Sequence, residues 1–133
     1  EIEKHPLNAN LYKTLGDLYY ESGNYAGVRQ AYETSLKIKP DNPHVLNNLA
    51  WLYATSEDPQ FRDPKRALAL AKAAAAIVLE PHILDTLAEA YYINGMYTQA
   101  LEAARHAQKL AGDNPAYYEK QVEKFKRAAG PTV

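Results

Sequence analysis

Residues 8–40, NANLYKTLGDLYYESGNYAGVRQAYETSLKIKP, decide the fold of this chain. Apolar side chains recur at helical spacing on both sides of Gly23 and Asn24, which predict a tight turn between two amphipathic helices. Pro40 closes the second helix. Two such helices cannot bury their apolar faces alone, so the fold depends on whether the pair recurs.

The pair recurs at a period of 34 residues. In the first unit, counted from Ala9, the positions that carry the pattern are Tyr12, Leu15, Gly16, Tyr19, Val28, Tyr32, Ser35 and Pro40. A unit from Pro43 repeats the first-helix positions with Leu46, Leu49, Ala50 and Tyr53. A third, from Pro81, repeats them with Leu84, Leu87, Ala88 and Tyr91. Three units with the same spacing are far more specific than one.

These are the signature positions of the tetratricopeptide repeat, a helix–turn–helix unit, and the chain resembles an array of such repeats over nearly its whole length. The resemblance implies an all-α, right-handed superhelical solenoid of three helix pairs plus a C-terminal capping helix. Within a single domain over 1–133, we place repeat 1 at about 9–42, repeat 2 at about 43–80, repeat 3 at about 81–114 and the capping helix at about 115–129.

Two segments depart from the regular pattern. Residues 1–7 are interpreted as the tail of a preceding repeat in a longer protein, because Pro6 lies 34 residues before Pro40; a ragged leader with a chance proline is the alternative. Residues 56–64 exceed the usual turn within repeat 2, and we expect a surface insertion anchored by Phe61 rather than a functional loop. A similar long turn recurs in bacterial proteins of the family that the chain resembles.

Composition argues against several function classes. The chain has 15 Lys and Arg against 16 Asp and Glu, so no overall field attracts nucleic acid. It contains no cysteine, which removes disulfides and a cysteine nucleophile. The alanine-rich run at 67–76 is too short to span a bilayer, so we predict no membrane insertion.

No catalytic motif stands out either. The chain has no phosphate-binding glycine loop, no HExxH and no nucleophile-elbow serine, so we predict no enzyme and no cofactor. His44 and His82 share a repeat position, but neighbouring repeats place them too far apart for joint metal ligation, so we expect no metal.

What remains is the helix face opposite the core, which in the resembled family lines a concave peptide-binding surface. The predicted partner-binding residues on this face are Lys13, Asp17, Tyr20, Glu21, His44, Asn47, Asn48, Trp51, His82, Asp85, Glu89 and Tyr92, and the capping helix adds Glu119 and Glu123. Carboxylates outnumber lysines, and aromatic residues are interleaved, so we expect a protein or peptide partner with basic and apolar residues. Trp51 is an expected anchor, with packing against the first helix of a neighbouring repeat or against the long loop as the alternative.

One subfamily of the resembled family grips the carboxylate of chaperone tails with five side chains. At the matching positions Lys13 and Asn48 agree, whereas Asp17, His82 and Thr86 replace an asparagine, a lysine and an arginine. Asp17 would repel a carboxylate, so we do not expect that function.

The leading function is a non-catalytic interaction scaffold that binds a partner peptide or helix in the concave groove. Two alternatives are a self-associating assembly module, which could form a homo-oligomer, and a substrate-recruiting appendage of a larger enzyme.

Overall fold

The structure, a computed structural model, describes residues 8–112 and 115–130. Over these ranges it contains α-helices and one short 3-10 turn at Pro59–Phe61, and no strand. The helices are α1 (Ala9–Ser22), α2 (Tyr25–Ile38), α3 (Pro43–Thr55), α4 (Pro64–Ile77), α5 (Pro81–Ile93), α6 (Tyr97–Ala111) and α7 (Pro115–Ala129). The predicted all-α class is confirmed.

Short polar side chains start the helices where the sequence places them. Asn8, Asn24, Asn42 and Asp63 each accept a hydrogen bond from a backbone N–H in the first turn that follows. Gly23 ends α1 with φ 78°, a left-handed conformation that glycine adopts without a steric penalty. The turn between α1 and α2 is therefore fixed by local chemistry.

The helices pack as antiparallel neighbours in a solenoid. α1 packs on α2, α3 on α4 and α5 on α6, while α2–α3, α3–α5 and α4–α5 contacts join successive pairs. α7 packs on α6 and closes a second apolar cluster around fully buried Phe125. Each pair thus buries its apolar face against its neighbours, as a repeat architecture requires.

The first helix pair differs from the others in how α1 and α2 approach. Tyr32 is fully buried, and a Cβ on Gly16 would lie 2.3 Å from its ring. At the same register the other pairs combine two alanines, Ala50 with Ala71 and Ala88 with Ala104. One large and one minimal residue therefore fill the space that two small residues fill elsewhere.

The long connection between α3 and α4 is a folded segment. Phe61 is buried, as predicted, and the Arg62 guanidinium donates to the carbonyls of Ser56 and Glu57 at 2.7 and 2.9 Å. The Asp63 N–H donates to the Tyr53 carbonyl at 3.1 Å, which closes the loop. The insertion therefore has a defined shape.

The repeat tail predicted at 1–7 lies outside the described residues, as do Asp113 and Asn114, the candidate caps that precede the last helix in the sequence. Among the described helices, none is both long and apolar enough to cross a membrane.

Candidate functional site

The concave side of the solenoid forms a groove of about 580 Å³. Its walls come from α1, α2, α3, α5 and α7. The lining residues are Asp17, Tyr20, Tyr32, Asn47, Asn48, Trp51, His82, Asp85, Thr86, Tyr117 and Tyr118. Because five of these are tyrosine or tryptophan, a ligand in the groove would meet mostly flat apolar surface with a few polar atoms.

The structure brings together seven of the predicted partner-binding residues in this groove: Asp17, Tyr20, Asn47, Asn48, Trp51, His82 and Asp85. Glu89 and Tyr92 instead line a neighbouring recess of about 400 Å³. Glu21 is exposed near the end of α1 and is not part of either lining.

The remaining predicted residues, Lys13, His44, Glu119 and Glu123, do not line the groove, and the first two have partners within the chain. Lys13 Nζ lies 3.0 Å from Asp17 Oδ2 in a half-exposed ion pair. The His44 and His82 rings stack with centroids 6.3 Å apart and planes within 4°. Glu119 and Glu123 do not line the groove; both line a separate depression on α7.

A chain of hydrogen bonds crosses the groove floor, and the acceptor at one end of it has no donor. Asn47 Nδ2 donates to Asn48 Oδ1 at 3.5 Å, and Asn48 Nδ2 donates to the Tyr32 hydroxyl at 3.3 Å. The Tyr32 hydroxyl in turn donates to Asp17. Asn47 is 6% exposed, and its Oδ1 has no hydrogen-bond partner in the described part of the chain. A buried acceptor without a donor is costly, so this atom lowers the stability of the groove floor.

Two carboxylates expected to face a partner are instead buried beneath α7. Asp85, 5% exposed, accepts from the Tyr117 hydroxyl at 2.5 Å and from Gln121 Nε2 at 2.8 Å. Glu89, 7% exposed, accepts from Gln121 Nε2 at 2.7 Å and from Lys124 Nζ at 2.8 Å. The sequence did not reveal these bonds because they depend on how far side chains of α7 reach back over α5.

The two buried carboxylates differ in charge compensation. Glu89 forms an ion pair with Lys124, whereas Asp85 has no cation within 4.0 Å among the described residues. Burial raises the pKa of Asp85 and outweighs its hydrogen bonds from Tyr117 and Gln121, which act in the opposite direction. Asp85 therefore places an incompletely compensated negative charge in the groove wall.

A second recess, of about 420 Å³, adjoins the groove where the 56–64 insertion leaves α3. Its lining residues are Tyr20, Tyr25, Trp51, Leu52, Thr55, Ser56, Glu57 and Asp58. The Tyr20 and Tyr25 rings meet edge to face at 5.8 Å, and burial raises the pKa of Tyr20 to about 12. Trp51 is half-buried and lines the groove and both recesses, so it lies where they meet.

Sequence reasoning missed three aromatic residues of these surfaces. Tyr117 and Tyr118 line the groove from α7, and neither is among the residues predicted to bind a partner. Tyr25 lines the second recess and contacts both Tyr20 and Phe61. The available signal was the adjacent tyrosine pair at 117–118, of which one side chain must face away from the core.

The side chains that line the groove provide hydrogen-bond acceptors, carboxylates and aromatic faces, which are the groups of a binding surface. Within residues 8–112 and 115–130, no group of three His, Asp or Glu side chains is placed to hold a metal ion.

Comparisons with known proteins agree with this architecture. A family model described as TPR repeat matches residues 16–56. The uncharacterized protein ycf37 of Pyropia yezoensis is 42% identical over 57 residues, which are 43% of this chain and 32% of that protein. The match thus spans about a third of the length of that curated relative.

The likeness to solved structures extends over nearly the whole chain, whereas the sequence match to the curated relative covers less than half of it. The first TPR of Spaghetti (RPAP3), bound to the HSP90 peptide SRMEEVD, has a TM-score of 0.79 at 17% identity, covering 95% of this chain and 96% of that one. The first TPR domain of human RPAP3, solved by NMR, has a TM-score of 0.76 at 18% identity, covering 93% and 94%. At such identities the likeness shows the fold alone. Together with the repeat spacing and the family match over residues 16–56, it shows that this chain has the fold of a tetratricopeptide repeat array.

Proposed function

We propose that this chain is a non-catalytic protein-interaction module that holds a partner segment in its concave groove. The observation that carries the proposal is a groove of about 580 Å³ lined by five tyrosine and tryptophan rings, with the side chains of Asp17, Asn48 and Asp85 among them. A peptide supplies both apolar side chains for these rings and hydrogen-bond donors for the carboxylates. The same groove would serve if the chain recruits substrates for a larger enzyme.

The charges of the groove favour a partner segment with basic and apolar residues. Asp85 lacks a cation at ion-pair distance among the described residues, and burial makes charge compensation valuable there. The Asp17 carboxylate accepts from Tyr32 and from Lys13, so a partner's carboxylate placed beside it would be repelled. A segment with lysine or arginine therefore suits this surface.

An acidic tail is the wrong partner for the same reason. Of the positions that grip chaperone tails in the resembled subfamily, this chain keeps only Lys13 and Asn48. His82 and Thr86 stand at the positions of a lysine and an arginine, and Thr86 Oγ1 donates to the His82 carbonyl. We propose that this groove does not bind the HSP90 peptide SRMEEVD to which the first TPR of Spaghetti is bound.

Selection from a displayed library of random twelve-residue peptides tests the groove directly. Selected peptides would be titrated calorimetrically against the wild type, Trp51→Ala and the control Leu110→Ala. Trp51 lies where the groove meets both recesses, so its loss should weaken binding by at least tenfold. Leu110 is an exposed apolar residue near the end of α6, and its truncation should change the affinity by less than twofold. Equal affinities for Trp51→Ala and the wild type, with both folded, would contradict the proposal.

The peptide SRMEEVD serves as the charge test in the same titrations. We expect no measurable binding at concentrations that saturate a selected basic peptide. If SRMEEVD bound as tightly as the selected peptides, the proposed preference for basic segments would be wrong.

Self-association is a second candidate, favoured by one observation: Leu18 of α1 is 56% exposed. Static light scattering over a concentration series tests it with the wild type and Leu18→Lys. Mass that rises with concentration for the wild type alone would support self-association through α1, and a constant monomer mass would exclude it.

A further inference from the structure

We infer that the recess beside the 56–64 insertion is a subsite for a lysine or arginine side chain of the bound partner segment. The inference rests on the proposed function, because this recess shares Tyr20 and Trp51 with the groove. It assigns a role to an insertion whose sequence suggested only a tolerated surface loop.

Aromatic side chains form the walls of this recess. Tyr20 and Tyr25 meet edge to face, and Trp51 lines the same cavity from α3. The negative faces of such rings attract lysine and arginine cations, and their apolar surface packs against the aliphatic stem. A ring-lined recess of about 420 Å³ has ample room for one such side chain.

Two carboxylates from the insertion add negative charge at the same place. Glu57 and Asp58 both line the recess, and neither has a cation within 4.0 Å among the residues that the structure describes. Hydrogen bonds from the side chain and backbone of Gln60 lower the pKa of Asp58, so this carboxyl is ionised at neutral pH. The recess therefore combines ring faces with negative charge, which is the chemistry that binds a basic side chain.

The arginines nearest the insertion are already committed elsewhere. The Arg62 guanidinium donates to the carbonyls of Ser56 and Glu57. Arg29 donates to the Gln60 carbonyl at 3.2 Å, and its guanidinium lies 4.9 Å from the centroid of the Phe61 ring. These contacts hold the insertion in shape without placing a guanidinium among the lining residues of the recess. The subsite is thus preformed, which lowers the ordering cost of binding.

The third helix pair shows the same combination with the cation supplied by the chain itself. Tyr92 and Tyr97 contact each other at 5.7 Å, as Tyr20 and Tyr25 do at the same register of the first pair. Lys124 Nζ lies 4.9 Å from the Tyr92 ring centroid and 2.8 Å from Glu89 Oε2. A tyrosine pair with a nearby carboxylate therefore already binds a lysine in this molecule.

Among the residues that the structure describes, no lysine lies over the tyrosine pair of the first helix pair. Lys124 is the tenth residue of α7, and the tenth residue of α3 is Leu52, which lines the recess. An apolar residue thus stands in register with the lysine that completes the third pair. The geometry leaves the cation to be supplied by the partner segment.

Peptide pools with the intrinsic fluorescence of Trp51, the only tryptophan of the chain, test the inference. Each pool of random eight-residue peptides fixes lysine, arginine, alanine or glutamate at one position and excludes tryptophan. The fixed residue is moved through the eight positions of the peptide. At one of these positions, we expect the lysine or arginine pool to bind roughly fivefold more tightly than the alanine pool, and the glutamate pool to bind most weakly.

Isosteric variants assign that preference to the recess. Glu57→Gln/Asp58→Asn removes both charges but keeps the side-chain acceptor that caps Gln60, and it should abolish most of the preference. The matched control Asp41→Asn/Glu102→Gln removes two exposed carboxylates that do not line the recess and should retain the preference. Tyr25→Leu should weaken the preference and Tyr25→Phe should keep it, because only the ring face is required.

The outcomes separate the two proposals. If no pool binds, whether followed by fluorescence or by calorimetry, the proposed function falls and this inference with it. If the pools bind without a basic preference, or if the preference survives in folded Glu57→Gln/Asp58→Asn, the subsite is wrong while the groove stands.

Discussion

The first and third helix pairs follow the same repeat pattern but complete it differently. In the third pair, small residues fill the interface between α5 and α6, and Lys124 from α7 packs over Tyr92. In the first pair, Tyr32 fills the interface, and the recess beside Tyr20 is bounded by loop carboxylates. One repeat pattern therefore supports a junction that the chain closes itself and a junction that remains accessible to a ligand.

The largest expected effect comes from making the first pair resemble the third at Gly16. Gly16→Ala introduces the residue that the other two pairs carry, and alanine favours a helix, but its Cβ would overlap the buried ring of Tyr32. We expect a loss of about 3 kcal/mol in the free energy of unfolding, measured by urea titration with far-UV circular dichroism.

A double variant isolates this clash. Gly16→Ala/Tyr32→Ala recreates the alanine pair of α5 and α6, so the two losses should be strongly non-additive. Additive losses would mean that the size of Tyr32 does not explain the glycine.

The next effect comes from making the third pair resemble the first. Lys124→Leu places in α7 the residue that α3 carries in the same register, and it leaves buried Glu89 without its cation. Because Lys124 is partly exposed, we expect a loss of about 2 kcal/mol, less than the roughly 3–5 kcal/mol typical of a fully buried ion pair that loses one partner. Thermal and urea unfolding would measure it.

Two further variants separate charge from packing at this site. Lys120→Leu changes an exposed lysine of the same helix and should alter stability by less than about 0.5 kcal/mol. Glu89→Gln/Lys124→Leu should recover part of the loss, because no buried carboxylate remains unpaired. A double variant no more stable than Lys124→Leu would show that the lysine acts through packing alone.

A smaller effect distinguishes the two tyrosine pairs. Tyr25→Ala should cost about 1.5 kcal/mol and Tyr97→Ala about 1 kcal/mol in unfolding free energy, since both are half-exposed rings in similar pairs. The larger loss of unfolding free energy at Tyr25 reflects a second contact of its ring, with the Phe61 ring at a centroid distance of 6.2 Å. Equal losses would indicate that Tyr25 does not help to hold the insertion.

The smallest expected effect is on the pH dependence of stability. It concerns Asp85 of the third pair, which occupies the repeat position that Lys13 occupies in the first pair. Burial and the nearby charge of Glu89 raise the pKa of Asp85, and this exceeds the opposing effects of Tyr117, Gln121 and Lys124. Its contribution to stability is therefore present below the unfolded pKa of about 3.9 and lost as pH rises through the folded value.

The variant Asp85→Asn lacks this titration, so its stability relative to the wild type should increase from pH 4 to pH 7. Urea unfolding at several pH values would measure the difference. The control Asp41→Asn, at an exposed carboxylate, should show no such increase. A difference for Asp85→Asn that is constant with pH would contradict the assignment.

Much of this structure follows from local sequence patterns. The turn between α1 and α2 could be predicted because Gly23 readily adopts a left-handed conformation and the Asn24 side chain can accept a hydrogen bond from the first turn of α2. Phe61 was recognisable as an anchor because a large apolar residue inside a polar insertion needs a place to be buried. The period of the apolar residues then orders the helix pairs.

The details of the groove were less accessible because they depend on distances between helices. Register alone puts Asp85 and Glu89 on the concave side, yet it does not show that Gln121 reaches both carboxylates. The sequence likewise gives the polarity of Asn47 but not that its Oδ1 lacks a donor. Whether such polar atoms form hydrogen bonds depends on differences of about 1 Å in the distance between side chains, which the sequence does not show.

The stacked imidazoles of His44 and His82 offer a gauge of superhelical geometry. They occupy the same place on successive helix pairs, so their 6.3 Å spacing and 4° tilt record the step from one pair to the next. A ligand that tightens or opens the curvature of the solenoid would change both quantities. The ring-current shifts of the two Hε1 protons would then report bending of the scaffold without any added label.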